Sequence, residues 1–163
     1  MISKKMEAAI NTQINKEMYS AYLYLAMAAD LKEKYLDGFA RFFEIQAKEE
    51  MGHAMKFYAY VNEQGGRVVL EAIEKPQTSY KDVEEIFALT LEHEKFITRS
   101  INELMALAVK ENDYATAGLL DWFVKEQIEE EGNMDKGLHL VKMAKNAPHA
   151  LMMLDGQFGK RGD

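Results

Sequence analysis

Apolar residues recur at steps of three and four along most of the chain, the spacing that puts them on one face of an α-helix. Four long amphipathic helices are predicted. The first runs from about Ser3 to Lys34, and the turn Tyr35-Leu36-Asp37-Gly38 offers Asp37 as N-cap of the second. That helix ends near Gln64, where Gly65-Gly66 supply left-handed positions. The third follows the capping signal Ser79-Tyr80-Lys81-Asp82 and ends near Lys110. After a tight turn at Asn112-Asp113 the fourth runs from about Tyr114 to Lys145. Pro148 suits the first position of a short fifth helix reaching Leu154, and a loose tail is expected from Gly156. The segment from Arg67 to Lys81 contains Pro76 and β-branched residues without a helical period, and reads as a crossover.

The connections set the topology. Turns of a few residues make the first two helices, and the last two long ones, antiparallel hairpins. A helix of about 27 residues is roughly 40 Å long, and a crossover of about 15 residues reaches about 50 Å when extended. It can traverse the bundle. The expected fold is therefore all-α, with up-down-down-up as one of the arrangements this reach permits. Residues 1–146 form the bundle, and 147–163 the short C-terminal helix and tail of the same domain.

Each apolar stripe carries chemistry at its middle. The first helix presents Ile10, Ile14, Glu17, Ala21, Tyr24, Ala28 and Leu31, and the second Phe39, Phe43, Gln46, Glu50, His53, Phe57 and Tyr60. The third presents Val83, Phe87, Thr90, Glu94, Ile97, Ile101 and Leu104, and the fourth Leu120, Phe123, Gln127, Glu130, Met134, Gly137 and Val141. Residues equidistant from a tight turn lie at one level of an antiparallel pair. Glu17 and His53 flank Tyr35 symmetrically, as Glu94 and Glu130 flank Asn112. An offset of 77 residues carries Glu17, Glu50 and His53 onto Glu94, Gln127 and Glu130, as a diverged duplication would.

Glu17, Glu50, Glu94 and Glu130 thus bring four carboxylates to one buried level, and no Lys or Arg lies on the stripes. Unpaired, each would cost several kcal/mol or stay protonated. Two divalent cations balance the charge. Bridging carboxylates with the imidazole of His53, on the same helical face as Glu50, form a hard donor set suited to Fe, Mn or Zn.

Composition removes other chemistries. The chain of 163 residues has no Cys, which excludes disulfides, iron–sulfur clusters, thiolate zinc sites and cysteine nucleophiles. Its 20 basic against 27 acidic residues give a net charge of −7, with no basic run for nucleic acid. The longest apolar run, Ala21 to Ala29, is too short to span a bilayer, and Met1-Ile2-Ser3-Lys4-Lys5 does not begin a signal peptide. A soluble, cytoplasmic protein with no nucleic-acid or membrane partner is expected.

At this point the chain resembles the prokaryotic non-haem ferritins over essentially its whole length. The resemblance rests on Glu17 within Asn15-Lys16-Glu17-Met18-Tyr19, on Glu49-Glu50-Met51-Gly52-His53, on Glu92-His93-Glu94, and on Trp122-Phe123 followed by Glu126-Gln127-Ile128-Glu129-Glu130. It implies a ferritin-like bundle that oxidises Fe(II) with O2 or peroxide and stores iron. By it, Glu17, Glu50 and His53 hold a first iron, and Glu50, Glu94 and Glu130 a second, with Glu50 bridging. Gln127 lies beside the second iron and Tyr24 is a nearby redox-capable phenol. Glu49, Glu126 and Glu129, with Glu130, form a third iron site towards the cavity. Bacterioferritin would have Glu-x-x-His where this chain has Gln127-Ile128-Glu129-Glu130, and Met51, placed like its haem ligand, reads as packing, so no haem is expected. The rivals are a di-iron or di-manganese oxidoreductase acting on peroxide or an organic substrate, and a non-catalytic metal scaffold.

The stretch Tyr19 to Ala29 is apolar nearly all round, and the short helix from Pro148 to Leu154 is too apolar for a free end. Both predict a homo-oligomer. The resemblance makes it a 24-subunit shell with the last helix lining its fourfold axes. His93, His139 and His149 read as surface or interface histidines, Gly132 as a close-packing position, and Arg161-Gly162-Asp163 as a coincidental tripeptide.

Overall fold

The computed structural model describes residues 1–162 and contains five helices: α1 (Lys4–Glu33), α2 (Asp37–Glu63), α3 (Val83–Glu111), α4 (Tyr114–Met143) and α5 (Pro148–Phe158). Among the described residues there is no strand, and no helix is long and apolar enough to cross a membrane. Every stripe position named above is buried, so the helical phase inferred from the spacing of apolar residues holds in all four long helices.

Local capping starts three of them. Ser3 Oγ accepts from the Met6 amide at 3.0 Å and donates to Glu111 at 2.6 Å, tying the start of α1 to the end of α3. At α3 the reciprocal pair is Asp82 with Glu85, rather than Ser79 with Asp82. Asp82 accepts from the Glu85 amide at 2.9 Å, and Glu85 from the Lys81 amide at 2.5 Å. Asn112 is left-handed (φ 55) and closes α3, and Asp113 caps α4 through the Thr116 amide at 3.0 Å.

The start of α2 departs from expectation. Tyr35 takes the left-handed conformation (φ 59), the turn closes early, and Asp37 becomes the first helical residue instead of the N-cap. The N-cap, Leu36, has no side chain able to bond. A donor-satisfying acceptor comes instead from α5, where Asp155 Oδ1 accepts from the Phe39 amide at 2.9 Å. Gly38 permits this approach, since a Cβ there would lie 1.7 Å from the Asp155 carbonyl oxygen.

Docking of α5 also corrects the expected loose tail. The helix continues through Gly156 to Phe158, whose ring meets those of Phe39, Phe42 and Phe87 at centroid distances of 5.0, 5.1 and 5.4 Å. Beyond it Arg161 pairs with Glu49 on α2. These contacts join residues far apart in the chain, most of them by more than a hundred positions, which local pattern cannot register. Asp163, the last residue of the terminal tripeptide, lies outside the described residues. At the other end of α2 only Gly65 of the Gly65-Gly66 pair is left-handed (φ 70).

The crossover is stapled to α1 by amide side chains. Asn11 donates to the Arg67 carbonyl and accepts from the Val69 amide, both at 2.9 Å, and Asn15 donates to the Glu71 and Ala72 carbonyls at 3.3 and 3.2 Å. Farther along, the Tyr80 amide donates to Asp30. The chain thereby travels the length of α1 before α3 begins. Consequently α2 and α3 are parallel, and the bundle is up-down-down-up.

Two apolar clusters fill it, one around Tyr24, Phe39, Phe43, Phe87 and Met134, the other around Ile10, Ile14, Phe57, Ile101 and Phe123. Gly137 belongs to the first, because a Cβ there would stand 2.4 Å from the Phe87 ring. Gly132 is not a close-packing position: a Cβ there meets no atom within 4 Å, and nothing in the structure explains that glycine.

Candidate metal centre

Between the two clusters lies a polar layer contributed by all four long helices: Glu17 from α1, Glu50 and His53 from α2, Glu94 from α3, and Gln127 and Glu130 from α4. None is more than 4 % exposed. Burial pushes the Glu17 carboxyl up to about 7 and that of Glu130 up to about 8, and raises those of Glu50 and Glu94. Neighbouring carboxylates add to the effect. Glu50 feels the charges of Glu94, Glu17 and Glu130, all of which disfavour its ionisation.

Glu17 and Glu50 form the starkest part of the layer. Glu17 Oε1 accepts from Gln13 Nε2 at 2.8 Å, but Glu17 Oε2 and Glu50 Oε1 are buried without a donor. As two carboxylates they can satisfy each other only by sharing a proton, and burial raises both carboxyls. His53 Nδ1 lies 3.4 Å from Glu50 Oε2. Packing against Trp122 and Phe123 buries the imidazole, and that desolvation depresses its pKa to about 4. It is neutral at neutral pH and has a lone pair to give. The ligand atoms of Glu17, Glu50 and His53 all lie within 4.8 Å of one another, so a cation could be held there.

The acids of α3 and α4 have donors. Tyr24 donates its hydroxyl to Glu94 Oε1, and Gln127 Nε2 donates to Glu94 Oε2 at 3.0 Å. Burial beside these carboxylates raises the Tyr24 phenol well above its ordinary range and keeps it protonated as a donor. Glu130 Oε2 accepts from Gln46 Nε2 at 2.9 Å. Glu130 joins His53 and Glu126 in a second group with ligand atoms within 4.8 Å, whereas Glu94 belongs to neither group.

Glu49, Glu126 and Glu129 lie on the outer side of the layer. Partial burial raises the Glu126 carboxyl, and the charges of Glu129 and Glu49 raise it further. His53 Nε2 is 3.8 Å from Glu126 Oε1. Glu49 is held by Arg161 through both carboxylate oxygens, at 2.8 and 2.7 Å.

Sequence reasoning missed the residues that hold these acids. Ser100 Oγ donates to Gln13 Oε1 at 2.6 Å, and Lys16 Nζ donates to Ser100 Oγ at 2.6 Å. Three directional bonds therefore run from a lysine to Glu17. Gln13 and Gln46 are buried amides, each four positions before an acid of the stripe, and that spacing is a readable signal. Arg161 has no such signal. His93, expected at a surface or interface, packs within the subunit beside Tyr19, Tyr24 and Phe96 and hydrogen-bonds Ser20 at 2.7 Å. Its pKa is depressed to about 4 by that burial. His139 and His149 are exposed.

Comparison with known proteins adds independent findings. The model of the ferritin-like domain family matches residues 7–144. A probable bacterial non-heme ferritin-like protein of Haemophilus influenzae is 38 % identical over 159 residues, covering 98 % of this chain and 96 % of its own. A bacterial non-heme ferritin of Campylobacter jejuni is 44 % identical over 131 residues, covering 80 % and 78 %. Among solved structures, an open pore ferritin from Archaeoglobus fulgidus superposes with a TM-score of 0.98 at 40 % identity, over 99 % of this chain and 100 % of that one.

Proposed function

The chain belongs to the ferritin-like family, and from that premise we propose that it oxidises Fe(II) in pairs within the bundle and stores Fe(III) as a mineral inside a hollow shell of many subunits. The observation that carries this reading is the pair of buried carboxylate oxygens without donors, Glu17 Oε2 and Glu50 Oε1, beside a neutral His53. A divalent cation satisfies both oxygens and removes the need for the shared proton. Hard oxygen donors with one imidazole fit Fe(II), which is here substrate and cargo.

In this reading Glu17, Glu50 and His53 hold one Fe(II), and Glu50, Glu94 and Glu130 the other, with Glu50 shared. Each ion gives one electron to O2 or peroxide; the metal supplies the redox chemistry, and the chain supplies placement and charge. Tyr24 and Gln127 orient Glu94, and Gln46 orients Glu130. Glu49, Glu126 and Glu129, with Glu130, take a third ion on its way to the cavity.

Assembly is supported by apolar side chains left in water by a lone subunit. Tyr22 and Leu25 of α1 are 49 and 50 % exposed, Met51 and Met55 of α2 are 41 and 47 % exposed, and Met152 and Met153 of α5 are 70 and 77 % exposed. A shell of 24 subunits would cover them, with α5 at its fourfold axes. The Archaeoglobus fulgidus ferritin has been described in an open pore form and in an engineered closed form, so pore geometry in this chain's shell is to be measured directly.

Two measurements test the reading together: particle mass in solution and oxygen consumption after Fe(II) addition to metal-free protein. A large closed particle that consumes O2 in proportion to Fe(II), with fast oxidation of two Fe(II) per subunit, is expected. A small particle that turns over peroxide would point to a di-metal oxidoreductase, and a large particle without Fe(II)-dependent oxygen uptake to a passive scaffold.

A further inference from the structure

We propose that Arg161 is a tethered cation that occupies the acidic group at Glu49 and, through Gln46, sets the orientation of Glu130, and that a divalent cation arriving at Glu49 displaces it. The proposal rests on the reading of Glu130 as a ligand and of Glu49 as part of the third site.

The geometry has three parts. The Arg161 guanidinium gives Nη2 to both oxygens of Glu49 and Nη1 to Gln46 Oε1, and its Cζ lies 4.9 Å from the centre of the Phe42 ring. A guanidinium only donates and does not lose its proton, so the Gln46 atom that meets it must be the carbonyl oxygen. The Gln46 amide nitrogen is therefore turned the other way, where it donates to Glu130 Oε2 at 2.9 Å. One tail residue thus pairs with Glu49 and, through Gln46, holds a carboxylate in the buried layer.

The contact is anchored but exchangeable. Phe158, three residues earlier, is packed among Phe39, Phe42 and Phe87, and the Arg161 amide donates to the Phe158 carbonyl at 3.3 Å, which keeps the guanidinium close to α2 even when its pairing breaks. The side chains of Arg161 and Glu49 remain 28 and 40 % exposed. An ion pair screened by water to that degree is weak enough to yield to a divalent ion that brings twice the charge to the same oxygens. The Coulombic surroundings favour exchange, because Glu49 lies within electrostatic reach of Glu126 and Glu130 while Arg161 brings one positive charge.

Mutual exclusion has a reciprocal consequence. If a cation at Glu49 expels Arg161, removal of Arg161 must tighten that cation by the same coupling, typically 5- to 150-fold for linked sites. Release of Gln46 also frees Glu130 to turn, so tail displacement links arrival of an ion at the outer site to the geometry of the inner one.

The test uses the intact assembled protein, metal-free, titrated with Zn(II) by calorimetry and with Co(II) followed by its ligand-field absorption. Parent, Arg161→Gln, Arg161→Lys and Glu49→Gln are compared, and hydrogen exchange of residues 156–162 is measured with and without Zn(II). Arg161→Gln should keep two tight ions per subunit, bind the third at least about fivefold more tightly, and alter the Co(II) spectrum of the inner pair. Arg161→Lys should restore weak third binding, since charge alone competes at Glu49, but not the parent spectrum, since an ammonium lacks the fork that spans Glu49 and Gln46. Zn(II) should speed exchange of the tail in the parent and not in Glu49→Gln. Two tight ions in every protein with an unchanged third step, or tail exchange indifferent to Zn(II), overturns the proposal alone. Absence of two tight ions in the parent overturns it together with the reading of the buried centre.

Discussion

In the α1–α2 half the central acids, Glu17 and Glu50, each keep a buried oxygen with no donor, whereas in the α3–α4 half Glu94 receives a phenol and an amide and Glu130 receives an amide. The halves share a repeat and a level, yet they hold charge in different ways. Much of the support also crosses between them. Tyr24 and Gln46 sit in the first half and serve acids of the second, while Ser100 of the second half fixes Gln13, which serves Glu17. Neutral donors can keep Glu94 and Glu130 in place without a cation. Glu17 has only Gln13, on one oxygen, and Glu50 Oε1 has no donor at all, so the first half is where a metal ion has most to relieve.

The largest effect should follow from removing the shared acid. Glu50→Gln replaces a carboxylate by an amide in the most strongly charged position, so the metal-free protein should unfold at higher temperature at pH 8 while losing paired binding. Stopped-flow absorbance after mixing with Fe(II) and O2 should show the fast phase reduced at least about tenfold, in line with the cost of disturbing metal-site ligands. A parent-like fast phase with two Fe(II) per subunit would remove Glu50 from the centre.

A second outcome concerns pH. Glu17 and Glu130 have folded pKa values of about 7 and about 8, above the ordinary carboxylate value, so their stabilising contribution is complete in acid and is lost as pH rises through those values. His53 and His93, depressed to about 4, act in the opposite sense, but only between about 4 and their ordinary value of 6.5. From about pH 6.5 to 8.5 the acids act alone, and the unfolding temperature of the metal-free protein should fall by several degrees. Saturating Zn(II) should abolish the slope by holding the carboxylates ionised in both conditions. Thermal unfolding followed by circular dichroism checks this, and rising stability over that window would contradict the buried-acid account.

The third sharpens the contrast between halves. Gln13→Leu and Gln46→Leu each remove one amide that holds one acid, and each should weaken metal binding by roughly 10- to 100-fold. The first should act on the ion held by Glu17 and the second on the ion held by Glu130. Separate Zn(II) titration steps show which ion is affected, and identical profiles for both variants would mean the halves are not independent. The smallest effect should come from Asp155→Ala, which removes the acceptor at the start of α2 and should lower stability by about 1 kcal/mol without changing the metal stoichiometry.

The clearest gap between pattern and structure lies at the ends of α2. Asp37 had the right chemistry for a cap and stood one residue inside the helix, because the left-handed Tyr35 closed the turn early. The acceptor that meets the Phe39 amide, Asp155, is 116 residues away, and no local rule connects the two. The tail beyond Gly156 had turn-like composition and still packs, because Phe158 finds three aromatic rings and Arg161 finds Glu49. By contrast the buried amides Gln13 and Gln46 were visible as polar residues at helical spacing before an acid; their partners were not.

By itself the sequence determined the four long helices, their inward faces and the common level of Glu17, Glu50, His53, Glu94, Gln127 and Glu130. A period of 3.6 residues and two short turns settle those relations locally, with no need to know what the helices touch. Only the tertiary structure decided which donor meets which carboxylate: Gln13 on Glu17, Tyr24 and Gln127 on Glu94, Gln46 on Glu130, and Arg161 on Glu49. Such bonds require two side chains to come within about 3 Å at a workable angle, and that depends on how helices are set against one another. The periodicity of any single helix carries no record of it.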